Sequence, residues 1–140
     1  MGDVPEPISD DELLFRRVPV STGWFDPTSG ILQSAAFAPH KLRDITGLSV
    51  SRAKYKTSEQ AAQGQPGKSY YVAVFTAFNV NQLGMTVVPR PEVPGGYDPA
   101  HAELPELNSG NYKETITLER QEALAKACLR VEGPFETPIC

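Results

Sequence analysis

The chain has 140 residues, 40% of them hydrophobic and 21% charged, with a net charge of −4. That length fits one domain able to bury a core without disulfides or metals. The acidic balance excludes the broad basic footprint of a nucleic-acid binder. No run approaches the roughly 18 apolar residues of a membrane helix. Thirteen prolines and 11 glycines predict many turns and short elements.

Residues 1–8, acidic and broken by Pro5 and Pro7, are expected to form a disordered tail. They do not fit a secretory leader, so the expected compartment is the cytoplasm. Ser9-Asp10-Asp11-Glu12 matches a capping box and predicts one helical turn, followed by a short strand over Phe15 to Val18. Val20 to Gly30 reads as a loop. It carries the sole tryptophan, Trp24, beside Phe25-Asp26-Pro27, a pattern that pins a loop to a core or presents an aromatic ring to a ligand.

The stretch from Gly47 to Arg90 reads as a βαβ-like core. Leu48 to Ala53 alternates, with Leu48 and Val50 on one face and Ser49 and Ser51 on the other. Thr57-Ser58-Glu59-Gln60 is a second capping box, opening a short helix over Ser58 to Gln63. Tyr70 to Thr76 is apolar on both faces and predicts a central, doubly covered strand. One helical turn over Phe78 to Leu83 and a short strand over Met85 to Val88 follow.

His101 to Leu104 predicts an edge strand. The longest helix is expected over Leu118 to Glu132, capped by Thr117 and stopped by Gly133-Pro134, with Leu124, Cys128, Leu129 and Val131 as its apolar stripe. The expected domain therefore spans 9–133 and residues 134–140 form a second tail. The fold class is α+β: one compact domain with a small mixed sheet, a few short helices and one longer C-terminal helix.

Chemistry is sparse in this pattern. The two cysteines, Cys128 and Cys140, form no C-x-x-C pair, and no metal motif is present. Arg52, Lys54 and Lys56 read as a solvated strand edge. Gly64-Gln65-Pro66-Gly67-Lys68-Ser69 ends like a phosphate loop but lacks its first glycine and precedes a strand, so it is read as a turn. His40 is expected to be exposed. His101 and Glu103 alternate on one strand face and could act together. No G-x-S-x-G elbow supports a serine hydrolase. Trp24 and His101 are the candidate binding residues.

In the order of its elements the chain resembles the ADP-ribosyltransferases, which place an arginine on an early strand, a serine on a later one and a glutamate late in the chain. The matching positions are Arg16 or Arg17, Ser49 or Ser51, and Glu103, with His101 standing where the family carries a glutamate or glutamine. The resemblance implies NAD as cofactor, Arg17 on its phosphates, Ser49 supporting the site and Glu103 orienting the ribose or acceptor. The segments Gly47-Leu48-Ser49-Val50 and His101-Ala102-Glu103-Leu104 are also similar to those of small bacterial soluble proteins of unassigned function. The leading expectation is a non-catalytic accessory protein that binds a protein partner or a second copy of itself, with neither membrane nor nucleic acid. The NAD-dependent enzyme using Arg17, Ser49 and Glu103 is the alternative.

Overall fold

The computed structural model describes residues 6–139. The expected N-terminal tail falls mostly outside them, as does Cys140. Of that tail, Pro7 is held by its carbonyl, which accepts from Arg52 at 3.5 Å, and Ile8 packs against the core.

The chain forms β1 (Leu13–Pro19), β2 (Phe25–Asp26), β3 (Ile31–Leu32), β4 (Leu48–Arg52), α1 (Ser58–Ala61), β5 (Ser69–Thr76), α2 (Ala77–Gln82), β6 (Val88–Pro89), β7 (Glu92–Val93), β8 (Gly96–Tyr97), β9 (His101–Leu104), α3 (Thr115–Ala127) and β10 (Arg130–Glu136). Six strands make one sheet in the order β10-β5-β1-β4-β9-β6, and two hairpins, β2-β3 and β7-β8, stand apart from it. This is the α+β class expected. Every pairing is antiparallel, so the sheet is not the mixed one that the sequence predicts. Because β1 runs antiparallel to both β4 and β5, those two run parallel to each other with β1 between them. The βαβ-like reading thus becomes a split β-α-β unit.

Strand alternation gives the sheet two unlike faces. One carries Leu14, Val18, Leu48, Val50, Tyr71, Ala73, Phe75, Ala102 and Leu104 into the main core, closed by Ala36, Phe37, Val80 and Leu124. Phe37 meets Phe75 edge-on at 5.6 Å. The other face buries Phe15, Tyr70, Val72 and Val74 under Ala61 and Ala62 at the end of α1. Val72 and Val74 are fully buried, so β5 is covered on both sides. The Thr57 capping box forms as expected and starts α1.

Several local expectations differ from the structure: the short strand expected over Met85 to Val88 forms only at Val88–Pro89, and β2 lies inside the stretch read as a loop. Ser9 to Glu12 makes a turn, not a helical turn, because the Ser9 hydroxyl donates to Asp11 and Ser9 caps nothing. β9 is flanked by β4 and β6 and is not an edge. α3 begins before Thr117, which lies buried inside it, and ends at Ala127, so Cys128, Leu129 and Val131 fall outside the helix. The chain then turns into β10, with the Leu129 N–H donating to the Val74 carbonyl at 2.7 Å. Gly133-Pro134 therefore does not stop a helix. It lies where the β10-β5 register shifts between Glu132 and Phe135, and residues 134–136 belong to a strand, not to a tail. Gly133 adopts φ 102°, and a Cβ there would come 3.0 Å from the Tyr70 carbonyl, so only glycine fits the bulge.

Candidate functional site: a cationic cleft on the second sheet face

Beyond α1, the second sheet face turns polar. Phe15 lies opposite Ser51, so Arg17, two residues on, shares the face of Ser49 and Ser51. Ser49 is paired with Glu103 and Ser51 with His101. Here the sheet floors an open cleft of about 780 Å³ lined by Arg17, Ser49, His101, Trp24 and Tyr70, among others.

Three loops build its walls. The Phe25-Asp26 hairpin is fixed because the Asp26 carboxylate accepts from the Thr28 N–H and the Ser29 hydroxyl, which also hold its carboxyl below the ordinary aspartate value. Phe25 packs edge-on to Tyr71 at 4.9 Å, and this anchor holds half-buried Trp24 at the rim. The buried Asp44 carboxylate accepts from the His40 N–H at 2.6 Å and the Ser49 N–H at 3.4 Å. It thereby ties the loop carrying His40 and Arg43 to the start of β4. The Gly64-to-Ser69 turn brings in Lys68. The Tyr70 hydroxyl accepts from the Gln65 N–H at 2.8 Å, and a Cβ on Gly64 would collide with the Tyr70 ring.

The arginine pair is divided by the strand. Arg16 points to the main-core side, where its guanidinium donates to the Ala36 carbonyl at 2.9 Å and the Ser49 carbonyl at 3.0 Å. Burial pushes it below its ordinary pKa, with Asp44 opposing. Arg17 is exposed in the cleft, stacked on the Tyr70 ring at 5.0 Å and donating to the Gln63 carbonyl. Lys56 enters from the other side and pairs with Asp98 at 2.8 Å. Burial alone would raise the Asp98 carboxyl, but Lys56 and the Ala100 N–H outweigh it and hold it low.

Of the sequence-predicted site residues, the structure gathers Arg17, Ser49, His101 and Trp24 around the cleft. Glu103 is not among its lining. That carboxylate accepts from the Thr46 hydroxyl at 2.7 Å and pairs with Arg90 at 3.5 Å. The group standing beside Ser49 is His101, whose Nε2 lies 3.1 Å from the Ser49 Oγ, while its Nδ1 lies 2.7 Å from the Arg90 carbonyl. Ser51, the alternative to Ser49, also lines the cleft, as do Tyr70 and Lys56, and with them Arg43 and Lys68, which the sequence does not single out as site residues. Arg52, expected on a solvated edge, is fully buried in a two-bond ion pair with Glu12 at 2.6 and 2.8 Å. Strand alternation puts it opposite Leu14 on the core side.

Burial pushes the Cys128 thiol up, and its Sγ lies 3.4 Å from the Val74 carbonyl and 3.1 Å from the Arg130 carbonyl, an environment that disfavours the thiolate. Among the described residues no cluster of three or more His, Cys, Asp or Glu could hold a metal, and no helix is long and apolar enough to cross a membrane. Comparison with known proteins finds no match, whether with a family model, a curated protein or a solved structure. The residues of the cleft are therefore the ground for a functional reading.

Proposed function

We propose that the protein is a cytoplasmic binding protein whose cleft takes a phosphate-bearing small molecule of the nucleotide class. One observation carries this reading. In a chain of net charge −4, Arg17, Arg43, Lys56 and Lys68 line a single cleft in which Asp44 is the one lining carboxylate, and of these cations Lys56 is paired with Asp98. Cations concentrated against the sign of the whole chain raise the local concentration of anions. Trp24 and Tyr70 supply ring faces for a base, and about 780 Å³ lies within the usual range of ligand sites. NAD belongs to this ligand class. A transferase step at Glu103 has less support, because Thr46 and Arg90 already engage that carboxylate.

The test is thermal unfolding with ADP, NAD and adenosine. A ligand at a hundred times its dissociation constant adds about 2.7 kcal/mol of stability. ADP should raise the melting temperature and adenosine should not. Equal shifts for the two would remove the phosphate from the reading.

A second reading, docking of a protein partner or a second copy, is favoured by one apolar groove. It lies between β3 and the α3-β10 junction, where Ile31 and Leu129 are 63% and 53% exposed. Sedimentation of wild type against Ile31→Glu, with and without candidate partners, tests it. A mass that never departs from that of the monomer would discard self-association.

A further inference from the structure

The hydrogen-bond chain Ser49–His101–Arg90 fixes which ring nitrogen carries the proton. A carbonyl oxygen only accepts, so at 2.7 Å the Arg90 carbonyl requires a hydrogen on His101 Nδ1. In the neutral ring the lone pair is then on Nε2, and the Ser49 hydroxyl, 3.1 Å away, donates to it. Nucleophile, base and orienting group are thus in line, as activation of a hydroxyl requires. The alignment is held from two sides. The Arg90 N–H also donates to the His101 carbonyl at 2.9 Å, extending the β6-β9 ladder, and Asp44 holds the Ser49 N–H. Both reactive side chains line the cleft rather than the core.

We infer that Ser49 is a catalytic nucleophile, with His101 as its base, for hydrolysis of a carboxylic ester or thioester whose leaving half carries phosphate. The substrate class rests on the anion-binding reading; the nucleophile does not. In the first step the Ser49 Oγ forms a bond to the acyl carbon and its proton passes to His101 Nε2. Arg17, on the adjacent strand and the same face, is the cation available to the oxyanion that develops. The bond from the acyl carbon to the leaving oxygen or sulfur then breaks, and Nε2 returns the proton to that atom. Water next attacks the acyl-serine, giving up a proton to Nε2. The acid departs and Ser49 recovers its proton. The sum is ester plus water to acid plus alcohol or thiol.

The test is labelling with a fluorophosphonate, in which serine displaces fluoride, read by peptide mass spectrometry on the folded full chain. The expected result is an adduct on Ser49, absent from Ser49→Ala. In His101→Asn the side-chain amide can still donate to the Arg90 carbonyl but offers no Nε2 lone pair. Labelling should slow by about a hundredfold or more, the usual share of a general base, with the circular dichroism and melting temperature of wild type. No adduct on Ser49, or an equal labelling rate in His101→Asn, would overturn the nucleophile. Should His101→Asn fail to fold, His101→Gln serves the same comparison. Calorimetric titration of ADP into Ser49→Ala separates the two claims. ADP binding to Ser49→Ala, with no adduct on Ser49 of the wild-type chain, keeps the anion site and removes the nucleophile. Labelling that ADP neither binds against nor slows keeps the nucleophile and overturns the phosphate-bearing substrate.

Discussion

The second sheet face has two regions of opposite character that share β1, one drawing also on β5 and the other on β4 and β9. At one end Phe15, Val72 and Val74 lie under the short helix α1 and form a small core. At the other, Arg17, Ser49, Ser51 and His101 project from the neighbouring register positions into an open cleft. Tyr70 is the seam. Its ring belongs to the apolar cluster, its hydroxyl accepts from the Gln65 N–H, and Arg17 lies over its outer face. Alternation fixes only which side of the sheet a residue faces; whether it becomes core or site depends on what packs above it. The four-residue α1 supplies that cover at the Phe15 end alone.

The same contrast divides the arginines. Arg52 is buried and bound by Glu12, whereas Arg17 is exposed. Removing one partner of a buried pair strands a charge, so Glu12→Ala should cost about 3–5 kcal/mol in urea unfolding. Arg17→Ala should cost no more than about 1 kcal/mol, the scale of an exposed cation–π contact. A loss in Arg17→Ala as large as that in Glu12→Ala would make Arg17 a structural residue and abolish the contrast. The seam comes next in size. Gly64→Ala forces the Tyr70 ring aside and should cost about 1–3 kcal/mol, as other overpacked sites do. It should also weaken ADP binding, since Arg17 loses the ring it rests on.

In binding, Arg17→Ala should lower the affinity for ADP about tenfold, the loss of one charge-assisted hydrogen bond. Ser21→Ala, a change from one small side chain to another at the rim, should leave it unchanged. Titration calorimetry of the two variants side by side checks this. The smallest effect concerns pH. The Asp98 carboxyl sits below its ordinary 3.8, so its pairing with Lys56 stabilises the fold above that value and is lost as pH falls through the lowered one. Lys56→Met should therefore be less stable than wild type by under about 1 kcal/mol at neutral pH. The two should converge below pH 3.8 in urea titrations run across that range.

What could be read from the chain was what short-range physics determines. The alternation of Leu48 and Val50 against Ser49 and Ser51 marks β4. The Thr57 capping box marks α1, and the apolar run from Tyr70 marks β5. The same alternation placed His101 and Glu103 on one face, which their pairing with Ser51 and Ser49 bears out. It could not tell that Thr46 and Arg90 would take the carboxylate and leave the imidazole to Ser49. The end of α3 was misread because Gly133-Pro134 has the local form of a helix stop, while pairing with β5 draws residues 130–136 into the sheet. Arg43, Lys56 and Lys68 come from three separate loops. Nothing in their own neighbourhoods shows that the sheet brings them to one cleft.

Because Trp24 is the sole tryptophan and lies in the cleft, its fluorescence reports on this site and on no other. Titration with ADP and with adenosine is the most direct test of an anion-binding cleft. A saturable change with ADP that weakens as salt is raised, and that adenosine does not reproduce, is the predicted result. An emission unmoved by millimolar ADP, or a response identical for the two ligands, would contradict it.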